Sequence, residues 1–320
     1  MKRLSGALFA LVGALTVLSG CASGAETQSG TAASKHYPVS VENCGETLTF
    51  TQSPERVVLL ESAPVPTLSA LHLMDRVVAR AGTFAPEYYS EETLAELEEI
   101  PVMSEDVDAS GHLIISPEAV IGEAPDLVMG EPGSITRATL ADAGAQLLVQ
   151  NVYCPNWSED ASFEGLYDQV RVFGTIFDVE DEAEQLVSEL QDRVAAASHD
   201  ASGVTVAVLY PSTGGGPLYA YGRGSMANPQ VEALGFENVF DDVADRVFEV
   251  SMEELLKRNP DEIIVLYQDT NPEEAIEAVK QLPGADGLTA GFYAQLFNFT
   301  EPPSPLTVDG LERMSEYYFG

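Results

Sequence analysis

The sequence predicts an α/β protein of two lobes, each built on a mainly parallel sheet. Two regions of the chain alternate short β-branched runs with helical stretches, which is typical of parallel strands covered by helices. A long helical stretch lies between them, and the 320 residues are enough for two domains of about 100 to 200 residues each. With 45% hydrophobic residues, both lobes can bury a core.

The first residues have the layout of an export signal. Lys2 and Arg3 precede an apolar run over residues 4–18, which is too short to span a bilayer comfortably. The run ends in Leu18-Ser19-Gly20-Cys21, which resembles the bacterial lipobox, whose cysteine is lipidated. We predict a lipoprotein signal peptide over residues 1–20, acyl chains such as palmitate on Cys21, and a flexible tether over residues 21–43. An ordinary signal peptide with an incidental cysteine is the alternative.

Two cysteines remain once Cys21 is assigned to the lipid. Outside the cytoplasm an even pair is more often a disulfide than two free thiols, so we predict a bond between Cys44 and Cys154. Metal ligation by so distant a pair is the weaker alternative.

The first lobe is predicted over residues 44–178. Its helices have acidic residues on the solvated face, and its strands are short and β-branched. Strands are predicted at residues 56–60, 77–79, 126–129 and 146–149, and helices at residues 64–73, 91–99 and 116–122.

A helical region of a different kind follows. Residues 163–177 carry apolar side chains spaced for one helix face. A second helix, over residues 180–198, begins with acidic residues and has Arg193 near its end, which suits the helix dipole. We predict that the segment 179–202 carries the chain from one lobe to the other. An antiparallel helix hairpin is the alternative.

The second lobe is predicted over residues 203–320. Asn271 is a plausible N-cap, followed by Pro272 at the first helical position. Strands are predicted at residues 204–210 and 262–266, and helices at residues 231–234, 252–257, 272–281 and 311–318.

The charge balance excludes some classes of partner. The chain has 15 Lys and Arg against 51 Asp and Glu, a formal net charge of −36. Such a polyanion repels nucleic acid phosphates and anionic lipid headgroups, so nucleic acid is not an expected partner. An anionic ligand would need a local basic group.

Several motifs in both lobes resemble one protein family. They include Pro-Glu-Arg-Val-Val at 54–58, Pro-Asp-Leu-Val at 125–128, Gly-Phe-Glu-Asn-Val-Phe at 235–240 and Asn-Pro-Asp-Glu-Ile-Ile-Val at 259–265. The family is that of the substrate-binding lipoproteins of bacterial ABC importers for ferric siderophores, haem and cobalamin. The resemblance runs from about Pro54 to the C-terminus. It implies a class III periplasmic-binding-protein fold, two lobes joined by one long helix, with the ligand in the cleft between them.

Parallel sheets bind ligands beyond the carboxyl ends of their strands, so the cleft candidates are the residues that follow strands. Tyrosine and tryptophan would offer flat faces and donors to a large chelate. The predicted ligand-binding residues are Glu61, Ser62, Phe84, Tyr88, Tyr89, Trp157, Tyr210, Tyr221, Arg223, Ser225 and Tyr267, with Tyr153 also following a strand.

Two of these residues have explicit alternatives. Arg223, in a Gly-rich loop, could clamp the oxygens of a chelate, or it could form a surface ion pair with one of many carboxylates. Trp157, the lone tryptophan, could line the cleft or cap the first lobe.

Two glutamates are candidates for permease docking. In the family, one surface glutamate on each lobe pairs with permease arginines, and by motif position these are Glu118 and Glu253. Each falls in the first turn of its predicted helix, so compensation of the helix dipole is the alternative.

Other chemistries find less support in the sequence. Residues 222–227 fit a G-x-G-x-x-A template, but late in an exported chain, where nicotinamide cofactors are not expected. The histidines, His36, His72, His112 and His199, are isolated along the chain, so no protein metal site and no resident cofactor are predicted. No Ser/His/Asp arrangement supports a lipid-anchored hydrolase or nucleotide enzyme. We therefore expect a non-enzyme.

The sequence thus predicts a monomeric, lipid-anchored protein on the extracytoplasmic face of the cell membrane. We expect it to deliver a ferric siderophore to an ABC permease and its ATPase. Haem or cobalamin is the alternative cargo, since related haem binders place a tyrosine on iron near an arginine, and Tyr221 precedes Arg223. A solute-sensing lipoprotein without a permease is a further alternative.

Overall fold

The computed structural model describes residues 36–107, 113–130, 132–155, 157–212, 216–268 and 270–320. The predicted signal peptide, Cys21 and most of the predicted tether lie outside these ranges. Across the described ranges, no helix combines the length and the apolar character that crossing a membrane requires.

An antiparallel hairpin precedes the first lobe. Strands β1 (Val39–Asn43) and β2 (Glu46–Phe50) pair through a two-residue turn at Cys44 and Gly45, whose φ values are 54° and 77°. Positive φ at both turn residues is what a tight hairpin requires for its strands to keep their twist. The end of the predicted tether therefore belongs to a strand. The turn also positions Cys44 for its disulfide with Cys154, so the predicted pairing is present in the structure.

The first lobe contains a five-stranded, wholly parallel sheet with strand order β5-β4-β3-β6-β7. Its strands are β3 (Val57–Leu59), β4 (Val77–Ala81), β5 (Val102–Ser104), β6 (Leu127–Met129) and β7 (Gln146–Leu148). Its helices are α1 (Val65–Ala70), α2 (Glu91–Glu98), α3 (Pro117–Gly122) and α4 (Arg137–Ala141).

Two packed helices follow the first sheet, α5 (Phe163–Phe177) and α6 (Glu180–Ala197). Asp178, in the left-handed conformation with φ 61°, turns the chain between them. Gly174 of α5 packs closely against Ala183 of α6, and Arg171 forms an ion pair with Glu184. These contacts hold the two helices side by side in an antiparallel orientation.

Helix α6 carries the chain between the lobes. Its Val187 and Leu190 are buried in the core of the first lobe, whereas Ala197 is buried in the core of the second. Val194, between them, packs against both cores. The predicted joining helix is therefore present. Helix α5 packs antiparallel beside it, so the antiparallel helix hairpin, given above as the alternative, is present as well.

The second lobe contains a six-stranded mixed sheet. Its main order is β11-β9-β8-β12-β13. Strands β8, β12 and β13 pair in parallel, and β10 also pairs in parallel with β8. Strand β9 pairs antiparallel with both of its neighbours, β8 and β11. Its strands are β8 (Thr205–Pro211), β9 (Leu218–Tyr221), β10 (Glu237–Asn238), β11 (Val247–Val250), β12 (Glu262–Tyr267) and β13 (Gly291–Leu296). Its helices are α7 (Ala227–Ala233), α8 (Met252–Arg258), α9 (Pro272–Lys280) and α10 (Pro305–Phe319).

Both sheets are covered on two faces, which explains their continuous apolar strands. In β8, Val206 and Val208 pack towards α7 and α10, whereas Ala207 and Leu209 pack towards α8 and α9. Strand β3 and the residue after it alternate in the same way between two clusters. The predicted fold class is confirmed.

The structure departs from the sequence predictions mainly in several strands that were missed and at the first residue of α10. The sequence analysis predicted neither the β1–β2 hairpin nor the edge strands β5, β11 and β13, and it also missed β9. Helix α10 begins six residues before the predicted 311, because Ser304 caps it by accepting a hydrogen bond from Leu306 N, with Pro305 at the first position.

The contact between α5 and α6 can be tested with two glycines of the same helix. A Cβ at Gly174 would lie 2.6 Å from the Ala183 Cβ, whereas at Gly165 it would lie 3.5 Å from the nearest atom, Ser162 Oγ. We expect Gly174→Ala to lower the free energy of unfolding by about 1–3 kcal/mol through overpacking. Gly165→Ala should be neutral or stabilising by up to about 1 kcal/mol. Urea unfolding measures both, and equal effects would contradict the tight contact.

Candidate functional site

Two predicted binding residues of the first lobe, Ser62 and Tyr88, meet the second lobe directly, and a third, Tyr89, lies beside them. Asn298, in the 3-10 turn after β13, donates its side-chain amide to Ser62 Oγ over 2.8 Å and its backbone N–H to the Tyr88 hydroxyl oxygen over 3.2 Å. The Tyr89 hydroxyl donates to the Ser62 carbonyl over 3.4 Å. The Tyr88 ring lies edge-on to Phe299, 5.3 Å away. We call Ser62, Tyr88, Tyr89, Asn298 and Phe299 the tyrosine contact.

A second group of polar residues lies at the same junction, and we call Tyr153, Tyr221, Arg246 and Glu301 the Glu301 cluster. Glu301 has no exposed surface; it accepts a hydrogen bond from Met226 N over 2.8 Å and lies 3.5 Å from Arg246 Nη1. The Arg246 guanidinium also lies over the Tyr153 ring of the first lobe, 5.3 Å from its centre. The cluster therefore spans both lobes.

Burial controls the electrostatics of the Glu301 cluster. It raises the pKa of Glu301, although Arg246 opposes the rise. Burial alone would lower the pKa of Arg246, but Glu301, Tyr153 and Tyr221 outweigh it and the pKa is raised. Burial also raises the pKa of Tyr153 and of Tyr221, so both phenols keep their protons at neutral pH.

Glu61 lines a recess of the first lobe rather than the tyrosine contact. The recess is small, and Phe173 of α5 also lines it. Burial raises the pKa of Glu61 to about 8, although the Gln150 amide donates a hydrogen bond to it. Gln150 Oε1 is buried and has no hydrogen-bond partner among the described residues.

Arg80, which the sequence analysis did not single out, stands near the carboxyl end of β4. Its guanidinium lies over the predicted binding residue Phe84, 5.0 Å from the ring centre. The buried Nε–H has no acceptor, and within the described ranges no carboxylate forms an ion pair with Arg80. Its charge also acts on Tyr89, where it opposes the pKa rise caused by burial.

Arg223 forms an ion pair with a carboxylate, which was the alternative to a role in ligand binding. Its Nε donates to Asp160 over 2.8 Å, and its Nη1 donates to the Asp241 carbonyl over 3.2 Å. The Arg223 carbonyl accepts from Ala161 N over 2.9 Å. Arg223 therefore ties the segment before α5 to the second lobe, and its role in ligand binding stays a prediction.

The remaining predicted residues are dispersed around these groups. Ser225 is buried and accepts from Ala227 N over 2.9 Å. Tyr210 and Tyr221 both approach the Phe297 ring. Burial raises the pKa of Tyr267, and Arg313 and Glu87 also act on it. Trp157 is partly buried, and its Nε1–H has no acceptor in the described part of the chain.

The Gly-rich loop at 222–227 has a packing role. A Cβ at Gly222 would overlap the carbonyl oxygens of Val243 and Asp245, and one at Gly224 would lie 2.8 Å from the Ala244 carbonyl. These glycines let the loop before β11 approach, which accounts for the pattern without a dinucleotide.

Both docking candidates are exposed at the second position of a capped helix. Glu118 lies in α3, capped by Ser116, and Glu253 lies in α8, capped by Ser251. Neither belongs to an ion pair with another described residue, so both carboxylates are available to a partner as well as to the helix dipole.

The sequence analysis missed Arg80, Gln150, Arg246, Asn298 and Glu301. Arg80 had a usable signal, because it is a scarce cation at the end of a predicted strand. The others belong to loops whose neighbours are far away in the sequence, such as Asn298 and Ser62, which are 236 residues apart.

The raised pKa of Glu61 predicts a pH-dependent stability. Because the folded state holds the Glu61 proton more tightly than the unfolded state, its contribution is complete below about pH 4 and is lost as the pH rises to about 8. The unfolding free energy of the wild type should therefore fall over this range relative to Glu61→Gln. Urea titrations at several pH values test this, with the exposed Glu92→Gln as the control. A constant difference between wild type and Glu61→Gln would contradict the prediction.

Comparison with known proteins assigns the family. The family described as "Periplasmic binding protein" matches residues 57–301, which is most of the chain. A structure titled as an ABC-type Fe3+-hydroxamate transport system from Saccharomonospora viridis is 48% identical, with a TM-score of 0.83, covering 89% of this chain and 100% of that one. A periplasmic binding protein from Veillonella parvula is 20% identical, with a TM-score of 0.72 and coverage of 88% and 97%, and shows likeness of fold.

Curated relatives match over a shorter stretch. The vitamin B12-binding protein of Salmonella typhimurium is 26% identical over 151 residues, which is 46% of this chain and 54% of that protein. The match thus spans about half the length of this relative. The long family match and the 48% identical structure confirm the resemblance inferred from the motifs. The chain belongs to the periplasmic binding protein family.

Proposed function

We propose that the protein captures a ferric siderophore of the hydroxamate class between its lobes and delivers it to an ABC permease with its ATPase. The 48% identical structure bears an Fe3+-hydroxamate transport title, which supports this class of cargo. Cys21 would hold the protein by its lipid on the extracytoplasmic face of the cell membrane. Capture and release need no chemistry by the protein, and it would act as a monomer.

The observation that carries the proposal is the state of Arg80. In a chain with a net charge of −36, a partly buried guanidinium that finds no carboxylate partner among the described residues is free to attract acceptor groups of a ligand. Its position over Phe84, beside Tyr89, gives a ligand both an apolar face and donors. Hydroxamate oxygens are acceptors that would satisfy the Arg80 Nε–H and, in the same way, the Trp157 Nε1–H.

The charge balance favours hydroxamates over catecholates. A ferric trihydroxamate carries little net charge, whereas a ferric tris-catecholate is strongly anionic. Arg223 and Arg246 are already paired with Asp160 and Glu301, so little positive charge remains for a strongly anionic cargo. A weakly charged complex would bind without a large repulsion from the acidic surface.

Haem is less well supported than a hydroxamate chelate. A tyrosine that ligates haem iron must lose its proton, and burial raises the pKa of Tyr153 and Tyr221. An as-purified sample without the strong visible absorbance of haem would agree with this ranking. Cobalamin is the further alternative and can be titrated in the same way.

The lone tryptophan gives a direct assay. We expect a ferric trihydroxamate to quench Trp157 fluorescence, and Arg80→Gln to weaken its binding at least about tenfold, a loss of about 1.4 kcal/mol. Arg56→Gln is the matched control, because Arg56 also lacks a carboxylate partner among the described residues but stands before the amino end of β3. It should bind within about threefold of wild type.

Two results would count against the proposal. Equal affinity of Arg80→Gln and wild type would remove Arg80 from the site. Preference for haem, cobalamin or a ferric catecholate over the trihydroxamate would reassign the cargo.

We propose that Glu118 and Glu253 dock the permease. They occupy the same position of two capped helices, one in each lobe, and both are exposed. A charge-paired contact on each lobe would hold the protein while the lobes release the ligand.

The docking proposal predicts separable binding and transport. The double variant Glu118→Arg, Glu253→Arg should lose uptake of radiolabelled ferric chelate by cells, while the purified protein still quenches normally. Glu92→Arg with Glu273→Arg makes the same charge change at the second position of α2 and α9 and should leave uptake intact. Loss of uptake in both double variants would point to overall charge instead of docking.

A further inference from the structure

A histidine and two carboxylates converge at the turn between α5 and α6. His36 lies just before β1, Asp178 forms the turn, and Glu180 is the first residue of α6. The incoming segment is held against the end of α5, where the Tyr37 hydroxyl donates to the Ile176 carbonyl over 2.7 Å. The sequence separates His36 from the two acids by more than a hundred residues, so the group exists only in the fold.

The hydrogen bonding of His36 fixes where its proton lies. Nε2 is 2.8 Å from the Thr175 carbonyl oxygen, which can only accept, so Nε2 carries the hydrogen. In the neutral ring Nδ1 then presents a lone pair. Nδ1 lies 3.2 Å from Asp178 Oδ1 and 3.2 Å from Glu180 Oε1. Three electron-rich atoms therefore face one another, and a cation between them, a proton or a metal ion, relieves the repulsion.

The spacing fits a metal ion. Zinc stands about 2.0–2.1 Å from an imidazole nitrogen and about 2.0–2.2 Å from a carboxylate oxygen. Two such bonds at a nearly tetrahedral angle separate nitrogen and oxygen by about 3.2–3.4 Å. The observed distances of 3.2 Å agree, and all three ligand atoms lie within 4.8 Å of one another.

The surroundings also suit a metal. A ligating histidine usually donates its second N–H to a carbonyl or carboxylate, which is the role of the Thr175 carbonyl here. The His36 side chain is 18% exposed, and those of Asp178 and Glu180 are 45% and 48% exposed, so water can reach a fourth position. The net charge of −36 raises the local concentration of cations.

We propose that His36, Asp178 and Glu180 bind a divalent transition-metal ion of the zinc type. The ion would fasten the segment before β1 to the turn between α5 and α6. The site is separate from the tyrosine contact, from the Glu301 cluster and from Arg80, so it does not depend on the proposed cargo.

The test uses the untagged full chain carrying Cys21→Ala, so that the only remaining cysteines are those of the disulfide. Calorimetric titration with zinc chloride at about pH 7.5 should show one site per chain with a Kd of about 1 μM or tighter. His36→Ala and the isosteric Glu180→Gln should each weaken zinc binding at least about tenfold. Zinc should raise the Tm of the parent chain and of neither variant.

His199→Ala is the matched control, since His199 bonds Ser315 and stacks on Phe319, away from the turn. It should bind zinc as the parent does. Circular dichroism and urea unfolding verify that each variant is folded. The proposal is overturned if the parent binds no zinc below about 10 μM. It is also overturned if zinc binding survives both His36→Ala and Glu180→Gln.

Discussion

The burial of Glu301 is the constraint on which the junction between the lobes depends. A carboxylate without exposed surface is costly unless hydrogen bonds and an opposite charge compensate it, and Met226 N and Arg246 supply these from the second lobe. The Arg246 guanidinium is covered in turn by Tyr153 of the first lobe. The second lobe supplies this compensation itself, and Tyr153 of the first lobe packs on the arginine that provides it, so the charges that stabilise the second lobe also contact the first.

Because Lys and Arg are scarce in this chain, an arginine that has no carboxylate partner among the described residues is a candidate for ligand binding. With 51 acids and 15 bases, most partly buried arginines are claimed by a carboxylate, as Arg193 is by Asp309 and Glu312. Among the residues that the structure describes, Arg80 is an exception, and it lies at the end of a strand over the predicted binding residue Phe84. The scarcity of arginine also explains why the sequence analysis singled out Arg223. The Gly-rich loop around Arg223 did not reveal its partner, because Asp160 lies far away in the sequence.

Local patterns predicted the elements well where burial is periodic. The helix over residues 163–177 was placed correctly because its apolar face repeats every three to four residues, and the buried strands of both sheets because they are β-branched. The strands β9 and β11 have only four residues each and no such pattern. The site was harder, because its contacts join distant loops. Ser62, Tyr88 and Tyr89 followed from their position after strands, whereas Asn298 and Glu301 belong to a turn with no periodic signal.

The disulfide between Cys44 and Cys154 has a consequence for the integrity of the chain. It joins the turn of the β1–β2 hairpin to the segment beyond β7, across 110 residues of sequence. All five strands of the first sheet fall within that span, which the bond closes into a covalent ring. A protease that nicks a surface loop inside the ring opens a gap without releasing a fragment. The oxidised protein can therefore keep its first lobe in one piece after damage that would divide a reduced chain.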